Sequence, residues 1–243
     1  MPRRATLLLI DAGANPMAGL SLRLRDLGYR VLRTKTLEQG RAALSDRRFE
    51  MRIALIPPDL PVPDLDRAIA ALRAPARSRV LRFLATGTRP DAGERSQLRN
   101  AGVEFALWEP FDDHTLQFQI NRALAEGAPP PRRRHAVRVP TNLPVRVTMG
   151  RREKQARVYC ISAEGAYLAT PRPSLPKAVI HFSLPLPTGE LRLSGEVVMT
   201  NVPGNLMRMN LPTGMGVRFT GYTREAAESI LAFTEARARA LLV

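Results

Sequence analysis

Apolar and polar positions change their rhythm once along this chain. Up to about residue 125, short apolar runs alternate with stretches of helical period. Thr6–Ile10 is an apolar run bounded by Gly13, the pattern of a strand buried on both faces. Pro16–Leu27 places Met17, Leu20, Leu24 and Leu27 on one helical face, and Gly28 is its stop. The alternation continues with a strand at Tyr29–Thr34, a helix at Leu37–Arg47, a strand at Arg52–Ile56 and a helix at Asp64–Arg73. A strand at Val80–Thr86, a helix at Asp91–Asn100, a strand at Phe105–Trp108 and a helix at Asp113–Ala125 complete it. Five β–α units in sequence predict a doubly wound α/β sheet.

Beyond Arg138 the period shortens to that of strands. Leu143–Met149, Gln155–Ser162, Gly165–Ala169, Ala178–Leu184, Glu190–Thr200 and Gly214–Thr220 are separated by Pro and Gly, at Pro171–Pro173, Pro185–Gly189, Val202–Asn205 and Pro212–Gly214. Six short strands of this kind predict a small closed barrel. A helix from about Arg224 to Leu242 follows. Thr223 is placed to cap it, Glu225 and Glu228 favour its positive end, and Ala226, Ile230 and Phe233 form its apolar stripe. Between the halves, Ala125–Pro131 ends one helix and begins a stiff, extended spacer with three consecutive prolines. The expected boundaries are 1–127 for the first domain, 128–135 for the linker and 136–243 for the second domain.

Charge sharpens this division. The first 128 residues hold 20 Lys and Arg against 15 Asp and Glu, and the rest hold 17 against 7 with no Asp. Only three of the basic residues are lysine, so the positive surface is one of guanidinium groups. Such a surface favours anionic partners. Cys160 is the only cysteine, which excludes an internal disulfide and fits a reducing, cytoplasmic setting. The opening apolar run ends at Asp11, too short for a secretion signal, and no stretch is long enough to span a bilayer.

The candidate chemistry lies in the second half. Arg132-Arg133-Arg134-His135-Ala136-Val137-Arg138 precedes the first of its strands, and a Ser162-x-x-Gly165 turn joins two others. Arginine binds phosphates and guanine edges bidentately and stacks on flat rings, and a glycine turn lets a ligand approach the backbone. The combination predicts an anion or nucleotide site. A solvated basic linker beside an ordinary hairpin is the plainer reading of the same residues. His114, His135 and His181 have no companions at metal spacing, no glycine-rich phosphate loop follows a strand, and no Ser/His/Asp arrangement can be drawn. Neither a metal site, a cofactor site nor a catalytic residue is expected, and the chain is read as a non-enzyme.

The landmarks of the first half, Leu8-Leu9-Ile10-Asp11, Leu60-Pro61, Ala101-Gly102-Val103 and Glu109-Pro110-Phe111, resemble the flavodoxin-like receiver domain of bacterial response regulators over about residues 4–126. The resemblance implies an acidic cluster for a divalent cation, an Asp that accepts phosphate, and a Ser or Thr and a Lys that sense it. Here Ala12 follows Asp11, Pro57 falls at the acceptor position and Glu109 replaces the lysine. Thr86 or Thr88 stands at the hydroxyl position, and Asp59 is an acid two residues past the acceptor. The resemblance therefore implies a pseudo-receiver that keeps the fold without phosphotransfer and serves as an interaction surface. Trp108 and Phe111 open the face that the family uses for contacts, although aromatics in apolar runs also suit a core.

The second half resembles the PilZ family of cyclic-di-GMP receptors over about residues 130–240. Arg134-x-x-x-Arg138, Ser162-x-x-Gly165 and Gly214-Met215-Gly216-Val217-Arg218-Phe219 carry the resemblance. It implies that Arg134 and Arg138, with Arg133 beside them, clamp guanine edges and phosphates, while Ser162 and Gly165 hold the opposite side of the ligand. Cys160 stands where the family has Asp or Asn, and a thiol is a weak acceptor for guanine N–H groups. Two principal readings follow: a non-enzymatic signalling effector that binds cyclic-di-GMP and relays it to a protein partner through the pseudo-receiver, and a nucleotide-independent adaptor in which both domains bind proteins. Nucleic-acid binding ranks behind both, since only Tyr159 and Tyr167 offer stacking platforms near the arginines.

Overall fold

The computed structural model describes residues 5–14, 17–46, 48–76, 81–125, 136–205 and 211–243. It divides into two units, Met1–Pro129 with Ala240–Val243, and Pro130–Arg239.

The first unit alternates strands and helices in the expected order: β1 (Thr6–Ile10), α1 (Ala18–Asp26), β2 (Arg30–Thr34), α2 (Leu37–Ser45), β3 (Met51–Ile56), α3 (Leu65–Arg73), β4 (Arg82–Gly87), α4 (Ala92–Asn100), β5 (Phe105–Trp108) and α5 (Asp113–Ala125). The strands form one parallel sheet in the order β2-β1-β3-β4-β5. This is the flavodoxin-like arrangement, whose loops gather chemistry at the carboxyl ends of the strands. Strand side chains alternate between the two faces. Leu8, Ile10, Ala54, Ile56, Phe83 and Ala85 are buried in one apolar layer. Leu7, Leu9, Ile53, Leu55 and Leu84 join Phe105, Leu107, Leu116 and Ile120 in the other. Asp64 caps α3 through Arg67 N–H at 2.9 Å, and Asp91 with Glu94 forms a capping box on α4. Trp108 and Phe111 each pack, half-buried, against one of these layers.

The second unit is a closed antiparallel barrel in the order β10-β11-β8-β7-β6-β9. Its strands are β6 (Val139–Met149), β7 (Arg152–Ser162), β8 (Gly165–Ala169), β9 (Val179–Leu186), β10 (Gly189–Asn201) and β11 (Gly214–Gly221), followed by α6 (Arg224–Ala240). Val145, Val147, Val158, Leu168, Ile180, Leu184, Val197 and Val217 fill the interior, with Ala226 and Ile230 of α6 packed among them. The Thr223 hydroxyl accepts the Ala226 N–H at 3.2 Å, the expected cap. No helix of the described residues is long and apolar enough to cross a membrane.

Three details depart from the sequence reading. β6 begins four residues before Leu143. Its pairing with β7 is broken by a bulge between Pro140 and Leu143, where Asn142 adopts φ 62°, so the apolar alternation is interrupted. Pro185 lies within β9, opposite Glu190, and the turn shrinks to Pro187-Thr188. The last four residues, expected to belong with the second domain, count with the first unit. Leu242 bridges Phe105 in antiparallel fashion, Ala106 N–H donates to Leu241 O at 3.2 Å, and Arg99 donates through Nε and Nη2 to Val243 O at 3.0 and 2.7 Å. Leu241 and Val243 are buried, which accounts for their placement.

Candidate functional site

The sites expected from the sequence fall in the two units, and each is built by strand ends. In the first unit Asp11 follows β1 and is only 5% exposed. One carboxylate oxygen accepts the Met17 N–H at 2.7 Å. The other accepts Arg33 Nε at 2.8 Å and Lys35 Nζ at 2.9 Å, with Arg33 Nη2 also on it. Burial opposes ionisation here and is the largest single influence. The Lys35 ammonium, the Met17 N–H and the Arg33 guanidinium together outweigh it and draw the carboxyl down to about 2. Two cations of the chain itself thus hold the acid that a receiver would turn towards a metal ion.

Pro57 directly follows β3, and a proline side chain has no oxygen to receive a phosphoryl group. Asp59, two residues on, is exposed. Its carboxylate accepts the Ala14 N–H at 3.0 Å, and a Cβ on Gly13 would come within 2.4 Å of it and 2.8 Å of the Pro57 ring. Thr86 is buried near the end of β4, and Glu109 follows β5 with its N–H on Gly87 O at 2.9 Å. Among the described residues no three His, Cys, Asp or Glu side chains cluster in a way that could hold a metal. Arg33 and Lys35 escaped the sequence reading. Only the strand pairing reveals them: Asp11 N–H bonds Thr34 O in the parallel register Ile10 with Thr34, and this sets the two basic neighbours of Thr34 beside the acid.

In the second unit Arg138 immediately precedes β6. The pairing Val139 with Ile161 and Pro140 with Cys160 brings it to the end of β7 that carries the turn. Its Nη1 lies 3.7 Å from Cys160 Sγ. Cys160 is 4% exposed, and a register shift between Val158 and Cys160 sets both Tyr159 and Cys160 between the core residues Val158 and Ile161, buried but outside the barrel's apolar interior. The rings of Tyr159 and Tyr167 meet edge to face at 6.0 Å. The Tyr167 hydroxyl donates to Pro212 O at 2.6 Å, and burial, followed by the nearby Cys160, pushes its phenol above the usual range.

Ser162 and Gly165 close the β7–β8 hairpin. The buried Ser162 hydroxyl donates to Gly165 O at 3.2 Å. Gly165 has a structural duty of its own, since a Cβ there would lie 2.3 Å from Val217 O of β11. The structure therefore brings Arg138, Cys160, Ser162 and Gly165 to one end of the barrel. Arg133 and Arg134 lie outside the described residues.

Among solved structures, the chain is similar to the chemotaxis protein CheY4 of Vibrio cholerae, with 21% identity over 50% of this chain and 99% of that one and a TM-score of 0.43. The receiver domain of sensor histidine kinase PA1611 from Pseudomonas aeruginosa matches 51% of this chain and 100% of its own, with 25% identity and a TM-score of 0.44. The Bacillus subtilis inhibitor of motility MotI/DgrA matches 46% of this chain and 56% of its own length, with 18% identity and a TM-score of 0.37. No curated protein matches the chain. A model of the PilZ domain family matches residues 132–236. Those residues form a PilZ domain, and it stands C-terminal to a domain of flavodoxin-like fold.

Proposed function

We propose that this chain is a non-enzymatic, cytoplasmic signalling effector. Its PilZ domain binds cyclic-di-GMP through Arg133, Arg134, Arg138, Cys160, Ser162 and Gly165, and residues 1–127 relay the event to a protein partner without phosphotransfer. The domains proposed are 1–127 and 136–243, with 128–135 as the joint that responds and residues 240–243 packed on the first. The observation that carries this reading is the Arg138 guanidinium, which faces a thiol rather than a carboxylate at the end of the barrel that holds the Ser162–Gly165 turn. A thiol is a weak acceptor, so a guanine edge or phosphate recruits that cation without first breaking an ion pair. A bidentate arginine–guanine contact contributes about 1–3 kcal/mol of discrimination.

Cys160 also favours the second reading, a nucleotide-independent adaptor, because it offers guanine N–H donors a poor partner. An aspartate at this position has two opposed effects: it accepts those donors, and it pairs with Arg138. Calorimetric titration of cyclic-di-GMP into wild type, Cys160→Asp and Arg138→Ala weighs them. The effector reading expects Cys160→Asp to tighten binding about tenfold and Arg138→Ala to weaken it at least as much. No heat with either wild type or Cys160→Asp selects the adaptor.

The claim that phosphotransfer is lost rests on Pro57 at the acceptor position and on the Arg33 and Lys35 cations at Asp11. Incubation with acetyl phosphate and magnesium is expected to leave the intact mass unchanged. A gain of one phosphoryl group that maps to Asp59 and is removed by hydroxylamine would overturn this part.

A further inference from the structure

The barrel wall is not evenly closed. β6 pairs with β7 at nine positions but with β9 at only two, Val147 with Phe182 and Thr148 with His181. Beyond those pairs stand Pro144 on β6 and Pro185 on β9, neither of which has an N–H to continue the ladder. A cleft of about 750 Å3 opens there on the outer face. Pro144, Pro185 and the exposed side chains of Arg146, Gln155, Arg157 and Glu190 line it. Register places Arg157 opposite Pro144 and Gln155 opposite Arg146, so the two guanidinium groups come from adjacent strands.

Those guanidinium groups are lightly engaged. Arg157 donates to the neutral oxygens of Asn142 at 3.1 and 3.2 Å. Arg146 reaches Glu153 only at 3.9 Å, with both side chains largely exposed. Pyrrolidine rings that interrupt a sheet, flanked by available cations, match an extended chain that brings carboxylates and small apolar side chains. Glu190 at one end of the cleft calls for a hydrogen-bond donor there. Residues 129–243 contain no Asp and more than twice as many basic as acidic side chains, so the surrounding field attracts the same ligand.

We infer that this cleft is a docking site for an acidic, extended peptide segment of a partner protein. The site is independent of the nucleotide reading. Gln155 and Arg157 precede Ser162 by seven and five residues along β7, about 17–23 Å from the turn.

The test uses the full chain and a fluorescein-labelled hexapeptide of alternating glutamate and proline, read by anisotropy, with a glutamine–proline peptide as the neutral comparison. Saturable binding of the acidic peptide is expected, weakened at least about tenfold by Arg146→Glu with Arg157→Glu. Arg224→Glu with Arg239→Glu changes the net charge equally on exposed positions of α6 and is expected to leave binding intact. Equal losses in the two double variants would mean attraction by net charge alone and overturn the site. So would binding of the neutral peptide with equal affinity, displacement by cyclic-di-GMP, or a requirement for Arg146 and Arg157 seen with single-stranded RNA but not with the peptide.

Discussion

Gly165→Ala is expected to destabilise the barrel by about 3 kcal/mol, whether or not a nucleotide is present. The reason is steric. β8 and β11 approach so closely that a methyl group at Gly165 meets Val217 O at 2.3 Å, and one at Gly214 meets Leu168 O at 2.2 Å. Both contacts are to main-chain oxygens inside a closed barrel, where no rotamer change relieves them. Ser162→Ala, in contrast, removes a hydroxyl bonded within its own turn and should cost about 1 kcal/mol. Urea denaturation followed by amide exchange in β8 and β11 reads both. A Gly165→Ala barrel as stable as wild type would show that the strands relax apart, and would return this glycine to a purely ligand-facing role. The comparison matters for any binding study, because loss of affinity in a Gly165 variant reports first on the fold.

The second large effect concerns Asp11. Its carboxyl is drawn from 3.8 to about 2 in the folded chain, a difference that corresponds to about 2 kcal/mol of stability. Because the folded value lies below the unfolded one, this contribution is complete above about pH 4 and disappears as the pH falls through 2. Asp11→Asn removes the charge that attracts Arg33 and Lys35 and should lower stability by about 2 kcal/mol at neutral pH. The gap between the two proteins should close between pH 4 and pH 2. Trp108, the only tryptophan and part of the same unit, gives a fluorescence signal for the unfolding. A gap that stays constant over that range would mean that the ion pairs contribute nothing beyond hydrogen bonding.

Much of the fold was legible because each half keeps one period. The parallel strands of the first unit are buried on both faces and read as unbroken apolar runs, and their helices repeat the apolar spacing of one face. What escaped was the work of register and of individual backbone geometry. The start of β6 was hidden because Pro140 and the left-handed Asn142 break its alternation. The partners of Asp11 were hidden because a strand pairing, not proximity in sequence, delivers Arg33 and Lys35 to it. Ser162 and Gly165 were legible as a turn, but the use of the missing Gly165 side chain by β11 depends on a strand some fifty residues later. The cleft between β6 and β9 was invisible for the same reason, since two prolines mark it only once their strands are known to be neighbours.

The position of Leu241–Val243 bears on where the first domain can be cut. The first unit's sheet, edged by Phe105, and the layer that receives Val243 use residues translated more than a hundred positions after α5. A first domain cut off after α5 would therefore keep one strand edge bare and a gap in that layer, and only a chain that retains residues 241–243 closes both.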